Sequence, residues 1–138
     1  RDIMVGVKGP VEELRQKQEA DLASQAELLD SVAIKALEGY NKRRLSAYER
    51  QNVNEVCNIL QSLLRDVLVI SQGAEEMVLN VDVRSDLTRM NCQITPAAIA
   101  RGVDAICKAR QQLTQNVSSQ LAVEAMLFGI REVLECPK

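Results

Sequence analysis

Residues able to carry catalysis are few, and their spacing works against each familiar device. The chain contains no histidine, so it can form neither a Ser-His-Asp triad nor a Cys-His pair, and the commonest general base is lacking. Cys57, Cys92, Cys107 and Cys136 are widely separated, with no Cys-x-x-Cys pair to start a zinc site. Cys57 and Cys107 fall on apolar helical positions, where a buried thiol behaves as a small hydrophobe. Gly6-Val7-Lys8-Gly9-Pro10 holds glycines and a lysine, but a phosphate loop needs G-x-x-x-x-G-K-[ST] between a strand and a helix. The close carboxylates Glu12/Glu13, Glu75/Glu76 and Glu132/Glu135 have no evident partner to drive their pKa values apart, so they read as helix-terminal or solvated charges. These absences predict a non-catalytic chain with no cofactor, no metal and no small-molecule substrate.

Two charged groups remain. Lys42, Arg43, Arg44 and Arg50 form a basic cluster that could contact DNA phosphates. Tyr40 and Tyr48 are too few to make a base-stacking platform beside it, and a solvated turn with some carboxylate pairing explains the same residues. Arg65-Asp66 lies inside an apolar run, where charges must be paired or emerge at an edge, because an unpaired buried charge costs several kcal/mol.

The elements that must position these residues are helical. Of 138 residues, 46% are hydrophobic but only 2% aromatic, and Gly and Pro are sparse, a balance that favours helices over sheets. A single all-α domain of five to six helices is expected, since a chain of this length buries enough surface to need no staple. The net charge of −2 supplies no overall positive field for nucleic acid. No signal peptide or spanning segment is visible, and free thiols suit a reducing cytoplasm.

Residues 1–10 read as a linker from an upstream module, and 11–138 as the helical domain. Pro10 suits the first turn of a helix reaching Leu29, whose middle, Arg15 to Asp21, is too polar for a core. Ser31 starts a second helix that Gly39 can end. Ser46 and Glu49 have capping-box spacing, which predicts a third helix from there to Gly73, about 37 Å long. Asn80-Val81-Asp82 makes a turn, and Ser85 to Met90 a short helix. Thr95-Pro96 caps the next, in which Arg101, Lys108 and Arg110 offer a second basic patch. The last helix, from Asn116 or Ser118 to Glu135, is apolar nearly all round. Leu121, Ala125 and Phe128 make one stripe, while Val123, Met126, Leu127, Ile130, Val133 and Leu134 cover most of the rest. Such a helix is wrapped by its own domain or covered by another chain.

Three stretches together resemble the C-terminal domain of the delta prime subunit of bacterial DNA polymerase III, most closely in its actinobacterial forms. They are Lys42-Arg43-Arg44-Leu45-Ser46-Ala47-Tyr48-Glu49-Arg50, then Leu63-Leu64-Arg65-Asp66-Val67-Leu68 with Gly73 and Asn80-Val81-Asp82, and finally Asn116-Val117-Ser118-Ser119-Gln120-Leu121-Ala122-Val123-Glu124-Ala125-Met126-Leu127. The second is similar to the family's W/L-x-R-D-x-L … N-x-D, the third to its N-V/A-N/S-P-x-L-A-L-E-x-L-L. Ser119 stands where the family often has proline, and the basic segment before Leu45 is shorter than usual.

The resemblance implies an all-α collar domain, one of five that close into a ring beneath the ATPase modules of the clamp loader. It implies cytoplasmic partners in the form of other clamp-loader subunits, met through their C-terminal domains, with DNA contacted only indirectly and no membrane. The parent complex would be classed with DNA-directed DNA polymerase. The residues assigned to the interface or motif are Arg65, Asp66, Asn80, Asp82, Asn116, Gln120, Glu124 and Leu127. Leu121, Phe128 and Ile130 join Leu127 in packing the core or the seam. Two other readings stand beside this one: a nucleic-acid module built on Lys42, Arg43, Arg44 and Arg50, and a small helical enzyme with Arg65 or Arg131 turned into a cavity.

Overall fold

The computed structural model describes residues 2–91, 94–115 and 117–135. Among them are α1 (Asp2–Gln25), α2 (Ser31–Ser71), two single 3-10 turns (Glu75–Met77 and Val81–Val83), α3 (Arg84–Asn91), α4 (Pro96–Thr114) and α5 (Ser119–Glu135), with no strand. The all-α expectation holds. The chain divides into two compact units, residues 1–53 and 54–138, with the division inside α2 rather than at a loop.

One expectation at the N-terminal end is corrected: Pro10 lies inside α1 rather than in its first turn, and residues 2–10, expected as a linker, form the start of that helix. Proline has no amide hydrogen to offer the Gly6 carbonyl and crowds the preceding turn. The neighbouring Val7 carbonyl receives an outside donor instead, the Asn52 carboxamide of α2 at 3.2 Å. Val7 itself is buried.

The second and third expected helices are one. α2 runs through Gly39 and Ser46 for 41 residues, about 61 Å at 1.5 Å per residue. Gly39 costs only about 1 kcal/mol in a helix interior, and Lys42, Arg43, Arg44 and Leu45 all favour the helix, so nothing stops the chain before Ser46 can act as a cap. The real cap is Asp30, whose Oδ1 accepts the Ala33 amide at 2.7 Å. The far end stops as expected. Gly73 adopts φ 73°, and its amide and that of Ala74 bond the Ile70 and Val69 carbonyls at 3.0 and 3.1 Å, a Schellman ending that glycine accommodates without Cβ strain.

In the second unit α4 begins as predicted, Thr95 Oγ1 accepting the Ala98 amide at 3.2 Å with Pro96 in the first turn. Its Ile99, Ile106, Ala109 and Leu113 are buried with Ala122, Val123, Met126, Ile130 and Val133 of α5. α4 and α5 approach closely because Gly129 faces Ala105. A β-carbon on Gly129 would lie 3.2 Å from the Ala105 Cβ. The lower part of α2 adds Cys57, Leu64, Val67 and Ile70 to the same core. Gly102 of α4 leaves room for Leu64, whose methyl would be 3.0 Å from an added Cβ. The thiol of Cys57 reaches the Met126 sulfur at 3.8 Å.

Candidate functional site

Arg65 and Asp66 are paired, as their place in an apolar run requires, and the pair is half of a larger construction. Asp66 is completely buried. Its Oδ1 accepts from Arg65 at 2.8 Å, while Oδ2 accepts the Leu79 amide at 3.1 Å, the Asn80 amide at 2.8 Å and the Asn80 carboxamide at 2.7 Å. The Asn80 carboxamide also donates to Ser62 at 2.9 Å, and Arg65 reaches the Met77 carbonyl at 3.2 Å. One carboxylate thus gathers the turn that follows α2 and fixes it against the helix. Burial out of water is the largest influence on its ionisation and opposes it. The Asn80 amide, the Asn80 side chain, the Leu79 amide and Arg65 together outweigh that influence, so the carboxyl sits below its ordinary range. Asp82 is exposed within its 3-10 turn. The signals missed in the sequence were Ser62, one helical turn before Asp66, and the Met77 carbonyl.

The helix expected to be the hub, α5, has a buried face and an outward apolar one. Ile130 and Met126 are buried and Leu127 half-buried, but Leu121 and Phe128 are 60% and 64% exposed, and Ala125 is exposed between them. Leu121 and Phe128 therefore do not pack this chain's own core. On the adjoining flank Gln120 donates to Glu124 at 2.9 Å and Arg131 to Glu135 at 2.7 Å, which makes that side a polar stripe. Asn116 lies outside the described residues, as do Cys92, Cys136 and Pro137.

Beside the outward stripe, α4 and α5 enclose an open groove of about 620 Å³. Its floor is apolar and small (Ala105, Ala109, Ala125, Gly129), with Met126 and Val133 beneath, and Arg101, Asp104, Lys108, Gln112 and Glu132 form its polar rim. Ala125 belongs to both groove and stripe. An apolar centre inside a polar rim is the anatomy of a protein interface, and small residues let a partner's backbone come close. Ala105 and Gly129, unremarked in the sequence, could have been found from their fourth-residue spacing with Arg101 and Ala125.

The residues of the second basic patch have partners within the chain. Lys108 is held by Asp104 at 2.8 Å, which raises its pKa, and Arg110 donates to Asn58 at 2.6 Å and Gln61 at 3.2 Å. Arg101 also has an interaction. Cys107 is exposed, contrary to expectation, whereas Cys57 is buried, and desolvation pushes its thiol pKa up despite the nearby Arg110. Arg65 and Arg131 have side chains 40% and 67% exposed, Arg65 bonding the buried Asp66 and Arg131 the exposed Glu135, so the inward arginine that a helical enzyme would need is not provided by either. Among the described residues there is no cluster of His, Cys, Asp or Glu that could hold a metal, and no helix long and apolar enough to cross a membrane.

Lys42, Arg43 and Arg44 are not one patch. Successive residues step about 100° round a helix, and Lys42 and Arg44 line different grooves of the first unit, Lys42 with Arg15, Glu19 and Glu38, Arg44 with Lys17, Glu13 and Tyr48. Arg43 and Arg50 are exposed.

No curated protein and no solved structure matches the chain. Residues 19–132 match the family model described as DNA polymerase III, delta subunit, C terminal. That span covers most of both units and includes the Asp66 network and the α4–α5 groove, and the chain belongs to this family, the C-terminal domains of the delta subunit of DNA polymerase III.

Proposed function

We propose that the chain is a non-catalytic assembly domain of a clamp loader, of the delta prime type, which holds its neighbours in the cytoplasmic replication complex through their C-terminal domains. Family membership supports the complex. The delta prime assignment within it draws on the order of the three motifs in the sequence, in particular Arg65-Asp66 followed by Asn80-Val81-Asp82.

The observation that carries the proposal is the outward face of α5, where Leu121, Ala125 and Phe128 run along the edge of the α4–α5 groove. Scattered exposed apolar residues are ordinary. Here they adjoin a groove floored by Ala105, Ala109 and Gly129, so one partner helix laid along it would cover stripe and floor together. Asp66 has a supporting role, holding the turn at Leu79 and Asn80 in place.

The test is the solution mass, by light scattering, of the chain mixed with the C-terminal domain of the ATPase subunit from the same clamp loader. A mixed complex is expected, and Phe128→Glu, a change at an exposed position, should abolish it while leaving the melting temperature of the chain intact. A mixed complex indifferent to both Phe128→Glu and Leu121→Glu would place the seam elsewhere. No complex at all would overturn the assembly reading.

A further inference from the structure

Two carboxamides of the first unit line one groove without bonding each other. Gln18 of α1 and Asn41 of α2 both border a groove of about 300 Å³ between these helices, with Leu22 and Leu45 as its apolar walls. Gln18 is more than nine-tenths buried, and its Oε1 and Nε2 have no hydrogen-bond partner among the described residues. Asn41 is half-buried, and its carboxamide bonds no described residue either. A carboxamide offers two donors and an acceptor with two lone pairs, and leaving these unpaired out of water is unfavourable. If the position of Gln18 served packing alone, an apolar residue would fill it, as Leu14 and Leu22 fill the same stripe four residues to either side. The rim of the groove carries Arg15 and Lys42 against Glu19 and Glu38, two charges of each sign. Arg15 is already matched by Glu12 and Glu19 at 3.1 and 3.6 Å, so the rim favours no ion.

We propose that this groove binds a neutral primary carboxamide on a short apolar body, held by Gln18 and Asn41 and seated between Leu22 and Leu45. An amide suits the pair because it donates and accepts through adjacent atoms and carries no charge. Its NH₂ donates to the oxygen of one side chain, and its oxygen accepts from the NH₂ of the other. A carboxylate accepts only, and would leave the two carboxamide oxygens unpaired while adding charge beside Glu19 and Glu38. The polar atoms of Gln18 are covered, so the ligand reaches them through a change of rotamer at the groove wall. The volume lies at the lower end for small-molecule sites, whose usual lining is apolar with a few polar groups. A free amide and the glutamine side chain of a peptide share this chemistry. The site belongs to the first unit and does not depend on the assembly reading, which rests on α4 and α5.

The experiment is a ¹H–¹⁵N NMR titration of the whole chain with isovaleramide, and with isovalerate as its charged isostere. The side-chain NH₂ signals of Gln18 and Asn41 should shift and saturate with the amide, and isovalerate should move neither. Gln18→Leu and Asn41→Leu should each weaken isovaleramide binding by about tenfold or more, read from the backbone signals of Leu22 and Leu45. Leucine continues the apolar stripe at position 18, so the first of these variants keeps its fold and isolates the lost hydrogen bonds. Titration with acetyl-Gly-Gln-Gly-N-methylamide, against the same peptide with glutamate in the middle, distinguishes the sources. Tighter binding of the glutamine peptide than of isovaleramide assigns a protein side chain to the groove, and the reverse assigns a free amide; either supports the site. No shift of the two NH₂ signals in millimolar isovaleramide overturns it. Isovalerate binding as tightly as the amide, or amide binding unchanged in both leucine variants, overturns it equally.

Discussion

Asp66 and Gln18 are each more than nine-tenths buried, one in each unit, and they show two opposite ways of placing a polar group inside a helical protein. Asp66 accepts from Arg65, Leu79 and Asn80, and its bonds to Leu79 and Asn80 tie the turn after α2 to that helix. Both polar atoms of Gln18 lack a hydrogen-bond partner among the described residues. The surroundings differ in the same sense. The second unit has a core of large apolar side chains from α2, α4 and α5, whereas the first buries, among its described residues, Val7 and Val53 besides the glutamine. A satisfied buried carboxylate specifies a fold; an orphaned carboxamide weakens the pair of helices around it. The apolar stripe and groove proposed for assembly lie on the unit that is well packed.

The comparison can be broken first where packing is densest. Ile106→Ala, at a fully buried position, should cost about 2–5 kcal/mol in urea unfolding, while Val32→Ala, at a residue 74% exposed in the first unit, should cost less than about 0.5 kcal/mol. Equal losses would mean that the two units are held alike. Asp66→Ala should come next, at about 3 kcal/mol, because it leaves the Leu79 and Asn80 amides without an acceptor.

Gln18→Leu should act in the opposite direction, raising stability by about 1 kcal/mol through removal of an unsatisfied carboxamide from between Leu14 and Leu22. A loss on that substitution would show that the amide has a partner after all. The smallest effect expected is on pH dependence. Asp66 has a folded pKa below its unfolded value, so its contribution is present above about pH 4 and is lost as pH falls through the lower folded value. Acid unfolding of Asp66→Asn should therefore be flatter than that of the native chain in that window, and identical curves would contradict the network.

Much of the second unit is legible in the sequence because its signals are local or periodic. Thr95-Pro96 and Gly73 mark ends by backbone chemistry alone, and an apolar run enclosing Arg65-Asp66 demands a partner. What cannot be read is which side of α5 the chain covers for itself. Leu121 and Phe128 look like core residues in a helix apolar all round, and only the position of α4 shows that they face out. The first unit misleads more. Ser46 and Glu49 have the spacing of a capping box, but a cap forms only where the preceding residues leave the helix, and nothing from Val32 to Leu45 makes them do so. Pro10 suits a helix start by the same local logic, and the Asn52 carboxamide on the Val7 carbonyl, a contact between distant residues, is invisible in the sequence. Gln18 does leave a trace: Leu14, Gln18 and Leu22 lie at steps of four, so the glutamine occupies a position on an apolar stripe.

The claim that the packed unit is the one that assembles can be tested directly by hydrogen exchange, comparing the whole chain alone with the chain bound to the C-terminal domain of the ATPase subunit. Slowed exchange should concentrate in α4 and α5, along Arg101 to Gln112 and Leu121 to Val133, with α1 and the first half of α2 unchanged. Slowing confined to residues 2–53, with α4 and α5 unaffected, would contradict the account and move the assembly surface to the first unit.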